Sequence, residues 1–157
     1  MWKQFSTDTS AEEEGVWQDF PGFSVLLARA GGKNRAWKKT MNKMAKPLSR
    51  RAGSVSMEEL EQVDSAVFIK ECIRNWKTKV DGKLKVGIEP PPAESGLLEQ
   101  VEGALTDDGL MQVTENNIRL TLDAMPDLKN ALLSIANDMS QYQLERREEV
   151  AGNSEPS

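Results

Sequence analysis

The chain has 157 residues, with 20 Lys or Arg against 25 Asp or Glu, a formal net charge of −5, one cysteine and no histidine; the length suits one domain with flexible ends. The lone Cys72 excludes an internal disulfide and points to a reducing compartment, and the lack of histidine removes the common imidazole base, zinc ligand and neutral-pH switch. No run approaches the ~18 apolar residues of a membrane span, and the acidic opening MWKQFSTDTSAEEEG is unlike a secretory signal, so a soluble intracellular protein is expected.

Residues 1–14 lack periodicity and end in Glu12-Glu13-Glu14, which reads as a mobile arm. VWQDF and FSVLLAR flank the turn dipeptide Pro21-Gly22 and predict a small hairpin, with Phe23, Val25 and Leu27 on one face. An isolated hairpin is marginal in water, so this one must lean on helices. From Gly32 to Arg51 there follow eight basic residues and no acid. The carboxylate-free stretch between Asp19 and Glu58 carries +9, leaving −14 for the rest of the chain. Trp37, Met41, Met44 and Leu48 fall on one helical face while Lys38, Lys39, Lys43 and Lys46 lie elsewhere. Pro47 is expected to stop or kink that helix near Lys46.

Ser56 is a good N-cap, with Glu58 and Glu59 in the favourable first turn. Leu60, Val63, Val67, Ile69, Ile73, Trp76 and Val80 then repeat every three or four residues, predicting a long helix to about Lys79 with Asp81-Gly82 as its stop. A brief extended piece leads into Pro90-Pro91-Pro92, and residues 88–108 read as an insertion or flap holding a short helix. Thr114 caps a helix through Asn117, Ile118, Leu120 and Leu122. Pro126 breaks it, Asp127 starts the next, and Leu128, Leu132, Ile135, Met139 and Tyr142 form its stripe. Residues 146–157 read as a disordered tail. The expected fold is therefore mainly α: a compact helical domain over 15–145 with a small N-terminal β-hairpin and disordered termini.

Little in this sequence suggests catalysis. Cys72 has no histidine to generate its thiolate, and pairs such as Glu58/Glu59 or Asp107/Asp108 read as solvated surface. No Walker loop, dinucleotide fingerprint or Cys/His metal spacing is present, so no enzyme, cofactor or metal is expected. The basic segment 29–51 has the charge for nucleic acid and Trp37 for stacking. Trp37 shares its face with Met41 and Met44, however, and the remaining charge repels phosphate, so the lysines read better as a solvated or partner-facing surface.

Taken in order, VWQDFPGFSVLLA, NRAWKKTMNKMAKP, FIKECIRNWKTKVDGK and VTENNIRLTLDAMPDLKNALLSIANDMSQYQ resemble tail assembly chaperones of long-tailed, non-contractile bacteriophages. IRNW with its following turn and TENNIRLTLDAMPDL carry most of the likeness, which spans about 15–145 apart from 88–108. The resemblance implies a small, mainly helical protein of the host cytoplasm, absent from the mature virion. Such a protein coats the tape measure protein, keeps it soluble and recruits tail tube subunits, in many relatives through a frameshifted longer form. On this reading the candidate partner-binding residues are Trp17, Phe20 and Phe23 of the hairpin and Lys38, Lys39, Lys43 and Lys46, with core packing or plain solubility as their ordinary alternatives. A homo-oligomer is compatible with the role. The competing readings are a nucleic-acid-binding accessory protein using 29–51 and a structural minor tail or connector component.

Overall fold

The structure, a computed structural model, describes residues 1–50, 53 and 55–143. Two short helices, α1 (Trp2–Phe5) and α2 (Thr9–Glu14), precede strands β1 (Val16–Phe20) and β2 (Phe23–Leu27). Helices α3 (Arg35–Ser49) and α4 (Met57–Glu71) come next, then β3 (Ile73–Val80) and β4 (Lys83–Val86). Two 3-10 turns, Ala93–Ser95 and Leu98–Gln100, lead to α5 (Glu115–Ala124) and α6 (Pro126–Asn137), and a final 3-10 turn covers Met139–Tyr142. The strands form one antiparallel sheet in the order β1-β2-β3-β4, so α3 and α4 occupy the excursion between two strands that lie side by side.

The mainly-α expectation is thus overturned by a four-stranded sheet; the fold is α+β. The largest correction concerns the helix expected to reach Lys79. It stops at Glu71, and Ile73, Trp76 and Val80 belong to β3. The misleading signal has a physical cause. Leu26 faces Asn75 but Leu27 faces Ile73, so Arg74 is an extra residue in the ladder. This bulge puts Ile73 and Trp76, three positions apart, on the same face. A three-residue apolar spacing is what a helix would show.

Paired residues project to a common face. One face holds Gln18, Phe20, Phe23, Val25, Leu27, Ile73, Trp76 and Thr78, and on it pack Phe68 and Ile69 of α4, Ile118 and Leu122 of α5, and Leu132 and Ala136 of α6. The opposite face carries Trp17, Leu26, Lys77, Leu84 and Val86, and Trp17, Leu84 and Val86 there are 36, 45 and 53 % exposed. The core is one-sided, with helices covering a single face of the sheet.

Several local expectations meet the structure directly. Oγ of Ser56 accepts from the Glu59 N–H at 3.1 Å and that of Thr114 from the Asn117 N–H at 3.1 Å, each satisfying an otherwise orphaned helix donor. Pro47 does not stop α3, which continues to Ser49; near the C-terminal end it deletes only one intrahelical bond. Pro126 itself opens α6 at a position where a missing N–H costs nothing, and α6 ends at Asn137, before Tyr142. Residues 9–14, within the expected arm, form α2, and the Glu12 side chain is fully buried. The tail 146–157 lies outside the described residues.

Two buried polar groups tie the ends of the excursion together. The Asn34 carboxamide, with no solvent exposure, donates to the carbonyls of Arg29 (2.9 Å) and Glu71 (3.2 Å), just after β2 and just before β3. Its oxygen caps α3 by accepting from the Trp37 N–H at 3.3 Å. Glu12 pairs with the Arg29 guanidinium and accepts from the Lys33 N–H at 2.6 Å, which pins α2 to the Gly31-Gly32 loop. Asn34→Asp keeps the capping oxygen but deletes both donors and sets a carboxylate against two carbonyls. Urea unfolding is expected to show a loss of about 3 kcal/mol, and a loss no larger than that of an exposed Asn→Asp control would show the carboxamide to be dispensable.

Candidate functional site

Sequence-selected residues Phe20 and Phe23 lie on the covered face of the sheet and begin a stack of three rings. Phe20 and Phe23 are 4.9 Å apart between centroids and nearly parallel, and Phe23 and Trp76 are 5.6 Å apart. The stack opens at Phe23 into a groove of about 710 Å³. Phe23, Trp76 and Ile88 give it an apolar floor, Pro90-Pro91-Pro92 and Leu97 one wall, and Leu120, Met125 and Leu128 the other. Most small-molecule pockets are mainly apolar with few polar groups. This one goes further.

The three hydroxyls that line it are committed elsewhere. Thr78 Oγ1 donates to the Gly87 carbonyl (2.8 Å), Ser95 Oγ to that of Pro92 (2.6 Å) and Thr121 Oγ1 to that of Asn117 (2.8 Å). The three prolines have no N–H to offer. What remains is a mainly hydrophobic trough with the Glu89 carboxylate on its lining and adaptable Met125, 46 % exposed, at its lip.

The segment read as an insertion is what builds the second wall. Ile88 and Met111 exchange both backbone hydrogen bonds (2.9 and 2.8 Å), closing 88–111 into a loop whose base is in the core. At Gly87 (φ +141°) an added Cβ would lie 2.6 Å from Leu110 Cβ, so only glycine lets the chain leaving β4 pass this close. Asn117, fully buried, donates from its carboxamide to the carbonyls of Glu102 (3.0 Å) and Gln112 (2.9 Å) and accepts from the Glu102 N–H (2.7 Å). It fixes the loop against α5. The sequence signals for this wall were the Pro-Pro-Pro run and the apolar pair Leu97-Leu98 beside it.

The other sequence-selected residues are not at the groove. Trp17 stands on the opposite face of the sheet, with Lys77 Nζ 4.7 Å from its ring centroid, a cation–π contact. Lys38, Lys39, Lys43 and Lys46 are exposed on α3 and have no side-chain ion pair or hydrogen bond among the described residues. Trp37, on the same helix, is half-buried against the core. The candidates therefore split into three surfaces: a groove, an open sheet face and a basic helix.

Among the described residues no group of three His, Cys, Asp or Glu is placed to hold a metal ion, and no helix is long and apolar enough to cross a membrane. Comparison with protein-family models, with curated proteins and with solved structures returns no match.

Cys72 is fully buried, and burial pushes its thiol from an ordinary 9.0 up to about 12, with Arg74 opposing the shift and Glu71 adding to it. Because the folded value is the higher one, the neutral thiol favours the native state below pH 9. That contribution is lost as pH rises from 9 to 12, where the unfolded chain releases its proton first. In Ellman's assay at pH 8, Cys72 of the native protein is expected to react at least ~100-fold more slowly than that of the urea-unfolded chain; equal rates would place the thiol at the surface.

Proposed function

We propose that this protein is a non-enzymatic tail assembly chaperone of a long-tailed, non-contractile phage. It binds the tape measure protein, keeps it soluble in the host cytoplasm and helps to recruit tail tube subunits, then departs before the virion is complete. The observation that carries this reading is the trough between Phe23, Trp76, the three prolines, Leu97 and Leu128, which presents mainly hydrophobic surface and whose lining hydroxyls all donate to the chain's own carbonyls. A tape measure protein is a long helical chain whose apolar stripes lack a partner until the tube closes around it, and bare stripes of that kind aggregate. Shielding them requires a receptive hydrophobic surface and no reactive group. Several copies along one chain would turn weak single contacts into firm coverage.

The exposed lysines of α3 favour a second reading, a nucleic-acid-binding accessory protein. Lys38, Lys39, Lys43 and Lys46 lie unpaired among the described residues, and four phosphate contacts would weaken binding by ~600-fold on single strands to ~4,000-fold on duplex DNA for each tenfold rise in salt. The two readings are separated by gel shift with short DNA and RNA: the chaperone reading expects no retardation at physiological salt, and nanomolar retardation would favour the second.

The direct test is co-expression with the tape measure protein of the same phage. The wild-type chain is expected to raise the soluble fraction of its partner and to co-purify with it. Leu97→Glu with Met125→Glu, two changes at the lip of the groove, is expected to remove roughly half or more of that gain while leaving circular dichroism unchanged. Equal solubility of the tape measure protein with and without the chain would refute the function.

A further inference from the structure

We infer that the occupant of the groove is an amphipathic α-helix whose apolar stripe is flanked by lysine or arginine. This deepens the docking role just proposed and rests on it; what is added is the chemistry of the bound segment, from two independent features of the site.

The first is the shortage of hydrogen-bond donors along the lining. An extended peptide entering an apolar groove needs partners for its own N–H and C=O groups, and receptors of extended peptides supply them from a strand edge. Here one wall is three prolines without N–H groups, and the lining hydroxyls of Thr78, Ser95 and Thr121 already donate to the chain's own carbonyls. A strand or coil laid in this trough would find few donors for its own carbonyls, at ~1–3 kcal/mol for each one left buried and unpaired. A helix satisfies its backbone internally and brings only side chains to the walls.

The second is the sign of the rim. Residues 87–128, which build both walls, contain nine carboxylates and one cation, Arg119. Glu89 lines the groove itself, and Asp123 lines an adjoining depression that shares Leu97, Leu120 and Ala124 with it. Glu94 and Asp127 are the exposed neighbours of lining residues Ser95 and Leu128. None of these four carboxylates has an ion-pair partner among the described residues. The nearby positive charges are Arg119, in the same depression as Asp123, Lys85, opposite Thr78 on β4, and Lys129, which follows Leu128 and lines a further depression with Asp123 while its Nζ donates to Ser65 Oγ at 2.6 Å. Four carboxylates thus stand against three cations, one of them turned to Ser65, and the one charged side chain that lines the groove itself is Glu89; this favours a stripe with basic borders over one with acidic borders. The basic residues of α3, on the helix whose Trp37 and Met41 line a different depression with α4 and α6, do not contribute to this rim.

The test uses the full chain and two labelled synthetic helical peptides with the same apolar stripe, one bordered by lysine and one by glutamate, followed by fluorescence anisotropy. The lysine-bordered peptide is expected to bind about tenfold or more tightly at 50 mM salt, with the advantage shrinking severalfold at 0.5 M as the rim is screened. Glu89→Lys with Asp123→Lys is expected to reverse the order of the two peptides, and Leu97→Ser with Met125→Ser to weaken both. Equal affinities that are both lost in the serine variant, or tighter binding of the glutamate-bordered peptide there, overturn the charge preference and leave the groove standing as a docking site. Binding of either peptide that is indifferent to the serine variant, or no binding at all, overturns the preference together with the docking role.

Discussion

Every feature of the covered sheet face presupposes that β2 and β3 are neighbours, although residues 28–72 intervene between them. Bringing the ends of such an excursion together costs chain entropy, repaid only when the strands pair. The buried carboxamide of Asn34 is placed where that closure must be held, between the carbonyls at the two ends, with the Ala28 N–H to Cys72 carbonyl bond (2.7 Å) alongside. Because the same side chain caps α3, the start of the basic helix and the closure of the sheet are one interaction. The Phe20–Phe23–Trp76 stack exists only because that closure aligns rings from two distant parts of the chain.

Helix starts were legible in the sequence because their determinants are local. Ser56 and Thr114 cap by reaching three residues ahead, and Asp8 caps α2 in the same manner without having been singled out. Where α4 stops and β3 begins was not legible, since a bulge at Arg74 gave strand residues the spacing of a helix. Arg74 is stabilised there by partners that no local pattern reveals, the Glu13 carbonyl at 3.2 Å and the Glu71 carboxylate at 3.8 Å. The opening segment conceals its fold for a related reason. Three consecutive glutamates look solvated until Arg29, seventeen positions later, takes one of them into the interior.

The candidate site was half visible. Phe20 and Phe23 stood out as an aromatic pair around a turn, and the structure places Phe23 in the groove but sends Trp17 to the other side of the sheet, as period two requires. The far wall left only its proline run and the pair Leu97-Leu98 as signs in the sequence, because residues 88–111 have no periodicity of their own; what orders them is the carboxamide of Asn117 and the Ile88–Met111 bridge, both tertiary. Charge was legible but unplaced. The split between a basic stretch and an acidic remainder becomes, in three dimensions, a lysine-covered helix on one part of the molecule and a carboxylate-rimmed hollow on another.

The Pro90-Pro91-Pro92 wall has a thermodynamic corollary. Each ring holds its φ near −65°, so this stretch is already confined before anything arrives and has little freedom left to surrender. Association normally forfeits part of its gross attraction to the stiffening of loops. A receptor with one pre-stiffened side keeps more of that attraction, and a small footprint can then suffice for capture while remaining weak enough to let go.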